Sequence, residues 1–346
     1  MVVVAPDHRD GSCPISFIKE PGNDRLKSVD YISLPHQPLP EVEEGRNEQL
    51  KIRCWELSNV HDALLKLDAG KSLTNLQASK EPSRLSIFES KLDVKRPGKI
   101  CWAGHSFGAS TMVQFLKSVY HGGSVLFKTP SSDLKQQITP ASPLSLLDLW
   151  AMPLSGSSTS TLFNQPLPAY CGSPSSMPLA ILSKGFYNWS TNLQYTLQAI
   201  CAPSAEASEK PYIFYPISSA HLSQSDFGLL YPWLTKKVMK AEEPERTLKL
   251  NIRAILEQLR WSGIEVASTS ALDMEVEKEQ EVDVQVNGLA VGHDHRILEA
   301  NGDVRGWVSV DANKERKRLG LSGGQSQKEE PQSPGEAVMK NEVMQP

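Results

Sequence analysis

Gly104-His105-Ser106-Phe107-Gly108 sets a serine in the G-x-S-x-G spacing. That spacing suits a nucleophile held on a sharp strand-to-helix turn. Such a turn lifts the serine hydroxyl clear of the backbone. It also aims the next amide, the N–H of Phe107, at the place where an oxyanion develops during acyl transfer. Small residues at 104 and 108 let strand and helix approach while the serine holds a strained backbone. A serine hydroxyl needs a base to take its proton and an acid to orient that base. The chain order in this class of site is Ser, then Asp or Glu, then His.

Four histidines follow Ser106. His121 ends the predicted elbow helix and points away from the site. His293 and His295 fall in an acidic, polar stretch. His221 follows the apolar run Tyr212–Ile217 in Ser218-Ser219-Ala220-His221, where a turn presents it at a strand's C-terminal edge. Between Ser106 and His221, Asp148 follows the apolar Leu146-Leu147, whereas Asp133 lies in a polar stretch. Asp148 is the better placed acid. On order alone, Asp133 stays as the alternative.

The elements that must position these residues follow from periodicity. Lys99–Ala103 reads as a short buried strand and Ala109–Tyr120 as a helix, with Met112, Phe115, Leu116 and Val119 at helical spacing. Arg46–Asp68 reads as an amphipathic helix stopped by Gly70. Val2–Ala5, Ser124–Phe127, Leu179–Ser183 and Tyr212–Ile217 read as strands, and Ser86–Leu92 as a short helix. Phe227–Met239 and Leu248–Leu259 read as helices. Residues 14–45 look irregular, 129–143 a polar insertion, and 153–176 a loop. Strands alternating with helices predict an α/β fold with a mostly parallel sheet over residues 1–268. From residue 269 the chain is acidic and polar, and a largely disordered tail is expected, with a weak strand pairing near Val282–Val291 and Trp307–Val310.

Composition narrows the function classes. The net charge is −4 with no basic face, so nucleic acid is not an implied partner. No apolar run is long enough to span a membrane. The N-terminus lacks the basic and apolar regions of a signal peptide, which favours a cytoplasmic chain. Five widely spaced cysteines form no metal-binding pattern and read as free thiols. Phe227, Leu229, Leu230, Tyr231 and Trp233 could form a membrane-surface patch, but core packing is the expected fate.

The chain resembles the platelet-activating-factor acetylhydrolases of the lipoprotein-associated phospholipase A2 type. The carrying blocks are Asp7–Ser12, Arg46-Asn47-Glu48-Gln49, Gly104–Ala109, Leu147–Leu154, and Ala220-His221 with Asp226-Phe227 just after. The resemblance implies an α/β-hydrolase fold that needs no metal or other cofactor. It implies a serine esterase cleaving short or oxidised acyl groups from the sn-2 position of phospholipids, the implied partner, at a lipid interface. Ser106 is then the nucleophile, His221 the base, Asp148 the orienting acid and the Phe107 N–H an oxyanion donor. In that family a His-Gly-Leu-Gly-type loop supplies a second oxyanion donor. It would precede Asp7, so an N-terminally truncated chain is expected, with a central strand missing beside the elbow strand; a non-catalytic remnant or lipid-binding fragment, or a general carboxylesterase, stays as the alternative.

Overall fold

The computed structural model describes residues 1–20, 22, 25–35, 39–74, 84–122, 131–202, 210–267, 297–302 and 304–321. Two strands come first, β1 (Ile15–Lys19) and β2 (Leu26–Asp30), paired antiparallel. Helix α1 (Pro40–Asp68) follows. The elbow strand β3 (Trp102–His105) runs directly into α2 (Phe107–His121). Then come β4 (Leu144–Leu147), β5 (Leu179–Ile181), β6 (Tyr212–Pro216) and β7 (Trp307–Ser309).

These five strands form one sheet in the order β3-β4-β5-β6-β7. The first four are parallel, and β7 runs antiparallel against β6. A parallel pair needs a crossover, and helices packed on both faces of the sheet supply the burial it requires. Period-two alternation divides the strands between two cores. Ala180, Ile213 and Tyr215 face a core with α1, α2 and the helix Ser190–Ile200. Leu179, Ile181 and Phe214 face the opposite core with the helix Pro244–Trp261 and Trp307. Gln258 ties that second helix to the sheet by accepting from Ser145 Oγ at 2.6 Å and donating to the carbonyls of Leu144 and Met177.

Several sequence expectations change. Val2–Ala5 forms no strand, and Val3 is 77% exposed; among the described residues no strand pairs with this segment. Helix α1 begins at Pro40 rather than Arg46, since proline at the first turn sacrifices no helical hydrogen bond. The irregular segment 14–45 contains the β1–β2 pair. Ser86–Leu92 is replaced by a 3-10 turn at Arg84–Phe88. The insertion 129–143 holds a helix, Ser132–Gln137, whose Leu134 enters the core. The loop 153–176 contains short helical turns anchored by Leu154 and Leu167. Two helices, Lys184–Asn188 and Ser190–Ile200, lie outside the sequence expectations.

The predicted helix Phe227–Met239 is broken by Pro232 into Phe227–Leu230 and Pro232–Met239. Core packing fails there: Leu229, Leu230, Tyr231 and Trp233 are exposed. A disordered tail also fails for part of its length. β7 extends the sheet through Phe214↔Ser309 and Pro216↔Trp307. Trp307, 1% exposed, stacks on Phe214 with ring centroids 5.0 Å apart. The helix Ala312–Arg318 then packs against Ser190–Ile200. Ser124–Phe127, Val282–Val291, His293 and His295 lie outside the described residues.

Candidate active site

Ser106 sits between the end of β3 and the start of α2 with φ 56° and ψ −119°. A non-glycine residue in this region is strained, and such strain persists only where the surroundings dictate it. Gly104 shows what dictates it. A Cβ there would lie 2.3 Å from the Gly108 carbonyl oxygen and 2.6 Å from the Ala109 nitrogen. Strand and helix are therefore in backbone contact. Gly108 does not share that constraint, since a Cβ there meets nothing within 4 Å. Its backbone, rather than its missing side chain, is what Gly104 accommodates. Phe107 opens the helix, so its N–H has no intrahelical acceptor and is available to a ligand.

Asp148 follows β4 and is fully buried, with φ 45°. Its backbone N–H bonds the Ile181 carbonyl at 2.9 Å. One carboxylate oxygen accepts from the Ser183 N–H, and the other lies 2.9 Å from His221 Nδ1. A carboxylate only accepts, so the Nδ1 proton points at Asp148 and Nε2 is left with a free lone pair. His221 opens the turn that follows β6, and its side chain is 24% exposed. Ser219 braces this arrangement. Its hydroxyl donates to the Pro216 carbonyl at 2.6 Å and accepts from the Lys184 N–H at 3.1 Å. The turn bearing His221 is thereby tied to the turn whose Ser183 holds Asp148.

The His221 ring is held from both sides. Phe186 stacks on it with centroids 4.7 Å apart and planes 13° from parallel. His105 lies against it at 4.4 Å. Burial, and then the proximity of His221, push the His105 ring down to about 4. It is therefore neutral near pH 7, and its buried Nε2 has no partner among the described residues. Among the described residues, the nitrogen and oxygen atoms of His105, Asp148 and His221 are also the one cluster with a metal-compatible spacing. Asp148 already spends both oxygens on protein donors, so the cluster is better read as a hydrogen-bonded pair with a packed neighbour.

Ser106, Phe107 and Asp148 thus occur just past the C-terminal ends of parallel strands β3 and β4, and His221 in the turn beyond the C-terminal end of β6. Asp133 is exposed on the helix Ser132–Gln137, and His121 bonds the Pro166 carbonyl at 2.8 Å. Sequence reasoning missed His105, Phe186 and Ser183. Ser183 alone carried a signal, because it lies just past the C-terminal end of a parallel strand, where such sites gather.

A family described as platelet-activating factor acetylhydrolase, isoform II, matches residues 1–281 by its sequence model. The chain belongs to that family. Individual relatives are more distant. A Schizosaccharomyces pombe protein named "Putative phospholipase A2" is 24% identical over 297 residues, covering 77% of this chain and 62% of that protein. The platelet-activating factor acetylhydrolases of Bos taurus and Canis lupus familiaris are 31% and 32% identical over 119 and 124 residues. Each of those two matches covers 33% of this chain and 25% of the relative. The chain therefore spans less than two thirds of the yeast protein and matches a quarter of each mammalian one. Family membership agrees with the α/β fold, whose sheet is parallel apart from β7. Among the described residues, no helix is long and apolar enough to cross a membrane.

Proposed function

We propose that this chain is a serine esterase of phospholipids, cleaving the sn-2 acetyl or otherwise short or oxidised acyl ester. The observation that carries the reading is the Asp148–His221 hydrogen bond, oriented to leave Nε2 free, with the His221 ring 4.4 Å from that of His105, which directly precedes a strained serine at a helix start. In the first half-reaction His221 Nε2 takes the Ser106 hydroxyl proton as Oγ attacks the ester carbonyl. The Phe107 N–H donates to the oxyanion. The lysophospholipid oxygen leaves with the proton from His221. Water then loses a proton to His221 and attacks the acyl-serine; as the short acid leaves, His221 returns that proton to Ser106 Oγ. Asp148 orients the ring and stabilises the imidazolium in both halves.

An interfacial substrate fits the surroundings. The turn bearing His221 packs against Phe227–Leu230. Beyond it, Leu230 and Trp233 are 64% and 69% exposed, and Lys237 Nζ sits 4.9 Å over the Trp233 ring. Aromatic and aliphatic side chains interleaved with lysine suit a lipid headgroup boundary. The test is hydrolysis of a 2-acetyl phospholipid by wild type and Ser106→Ala. Turnover lost in the variant supports the reading. Wild-type turnover of p-nitrophenyl acetate but of no phospholipid would make the chain a general carboxylesterase instead.

A further inference from the structure

Arg46 lies in the first part of α1 and is 8% exposed. Its Nη1 donates to Gln49 Oε1 at 2.9 Å and its Nη2 to the Leu34 carbonyl at 3.3 Å. Its Nε is buried and has no acceptor among the described residues. Among the described residues it forms no ion pair. Arg53, further along the same helix, is different: its Nε meets Asp10 Oδ2 at 2.5 Å, and its Nη2 meets Ser12 Oγ. Asp10 therefore spends its carboxylate on Arg53 and Ser12 and reaches Arg46 only through space. A buried cation without a counter-charge is strongly disfavoured, and buried charges are normally paired or ligand-bound.

The position of this cation gives it a meaning. The Arg46 guanidinium carbon is 5.5 Å from the Phe107 ring centroid and 5.0 Å from that of Trp150. Phe107 follows Ser106, and the backbone N–H of Trp150 donates to the Ser106 carbonyl at 3.4 Å. The guanidinium therefore lies on the aromatic wall built by the two immediate neighbours of the elbow. Contact with two rings offsets only a minor part of the desolvation of a full charge. One further buried group beside it, Gln49 Nε2, lacks a partner among the described residues. Gln49 adds a second donor.

We infer that Arg46 forms an anion subsite beside the nucleophile, taking a carboxylate or phosphate carried by the ester substrate. A guanidinium suits either group, because its planar fork matches two oxygens at once. The inference rests on the proposed esterase reading and adds a determinant of substrate class to it. The carboxylate would come from the far end of an oxidised acyl chain, the phosphate from the lipid headgroup.

Two matched substrate pairs distinguish these sources. The first pair is one phospholipid with a five-carbon sn-2 chain ending in carboxylate or in methyl. The second keeps the methyl-ended chain and carries either phosphate or hydroxyl at sn-3. Wild type should favour the anionic member of one pair by about tenfold or more in kcat/KM. Arg46→Met should erase that preference, and Arg46→Lys should keep part of it. The pair whose preference collapses identifies the source. A wild type without preference in either pair overturns the inference, as does a preference that Arg46→Met leaves intact. Should Arg46→Met fail to fold, the wild-type ratios and the Arg46→Lys ratios still decide. Should wild type hydrolyse no ester, the esterase reading fails. Binding of glutarate or inorganic phosphate to wild type, and its loss in Arg46→Lys or Arg46→Met, then tests the subsite alone. Absence of such binding overturns it.

Discussion

Gly104→Ala and Gly108→Ala look equivalent in the motif, yet the structure assigns them opposite outcomes. A Cβ added at Gly104 would fall 2.3 Å from the Gly108 oxygen, 2.4 Å from the Gly108 carbonyl carbon and 2.6 Å from the Ala109 nitrogen. Carbon contacts settle near about 3.5 Å, so β3 and the first turn of α2 must separate by roughly 1 Å. The obstacles are backbone atoms, so no rotamer change relieves them. Overpacking of this kind costs about 1–3 kcal/mol, occasionally more. The same displacement moves the Phe107 N–H relative to Ser106, and a shift of about 1 Å at a reacting centre lowers rates by about 100-fold. Gly108 is inside the helix, has no positive φ and faces open space. Alanine is favoured over glycine in a helix by about 1 kcal/mol, so Gly108→Ala should be neutral or slightly stabilising. Denaturant midpoints and the rate of Ser106 labelling by a fluorophosphonate read both effects. Equal tolerance of the two substitutions, or greater damage from Gly108→Ala, would refute the close-approach argument.

Other outcomes follow from the same physical reasoning. Asp148→Asn keeps the side chain's shape but loses the charge that fixes the His221 tautomer; kcat should fall about 10³–10⁴-fold with little change in the far-ultraviolet circular dichroism spectrum. Lys117 is buried in α2, donates to the Phe163 carbonyl at 2.9 Å, and is pushed down to about 7 by burial. Its folded value is below its unfolded one, so the fold binds fewer protons between about pH 7 and 10.5, and stability rises with pH across that window. Lys117→Met should therefore stabilise the protein by roughly 2–4 kcal/mol at pH 7 after allowing about 1 kcal/mol for the lost hydrogen bond, and the gain should shrink by about pH 10. Denaturation at both pH values checks this. Trp307→Ala should cost about 3–5 kcal/mol by thermal or denaturant unfolding, because it empties a buried site stacked on Phe214.

The sequence was most legible where local pattern and global position coincide. The elbow needed only the glycine spacing, an apolar run before it and a helical period after it. Asp148 and His221 were readable because each follows an apolar run that becomes a parallel strand. Legibility failed where tertiary contacts override composition. Ser190–Ile200 is rich in Ser, Thr, Asn and Gln, yet Leu193, Leu197 and Ile200 mark a single buried face that the polar residues obscured. The strand at Trp307 was readable as a weak one, but its partner was not: it lies beyond an acidic stretch, and its pairing with β6 brings Trp307 into the core. Leu229 to Trp233 looked like core because apolarity alone does not reveal which face meets another element; Pro232 interrupts the helix there. Arg46, Arg53 and Lys117 were invisible as buried groups because cations are ordinarily assigned to the surface. His105 looked like a spacer within the motif, and only its ring contact with His221 gives it a place in the site.

The central claim is that Ser106 is activated by His221, itself oriented by Asp148. Fluorophosphonate labelling of wild type, Ser106→Ala and His221→Ala tests it most directly. The account predicts labelling of wild type at Ser106, none in Ser106→Ala, and a loss of at least about 100-fold in rate in His221→Ala. Folded wild type that resists the probe, or a His221→Ala variant that labels at the wild-type rate, would contradict it.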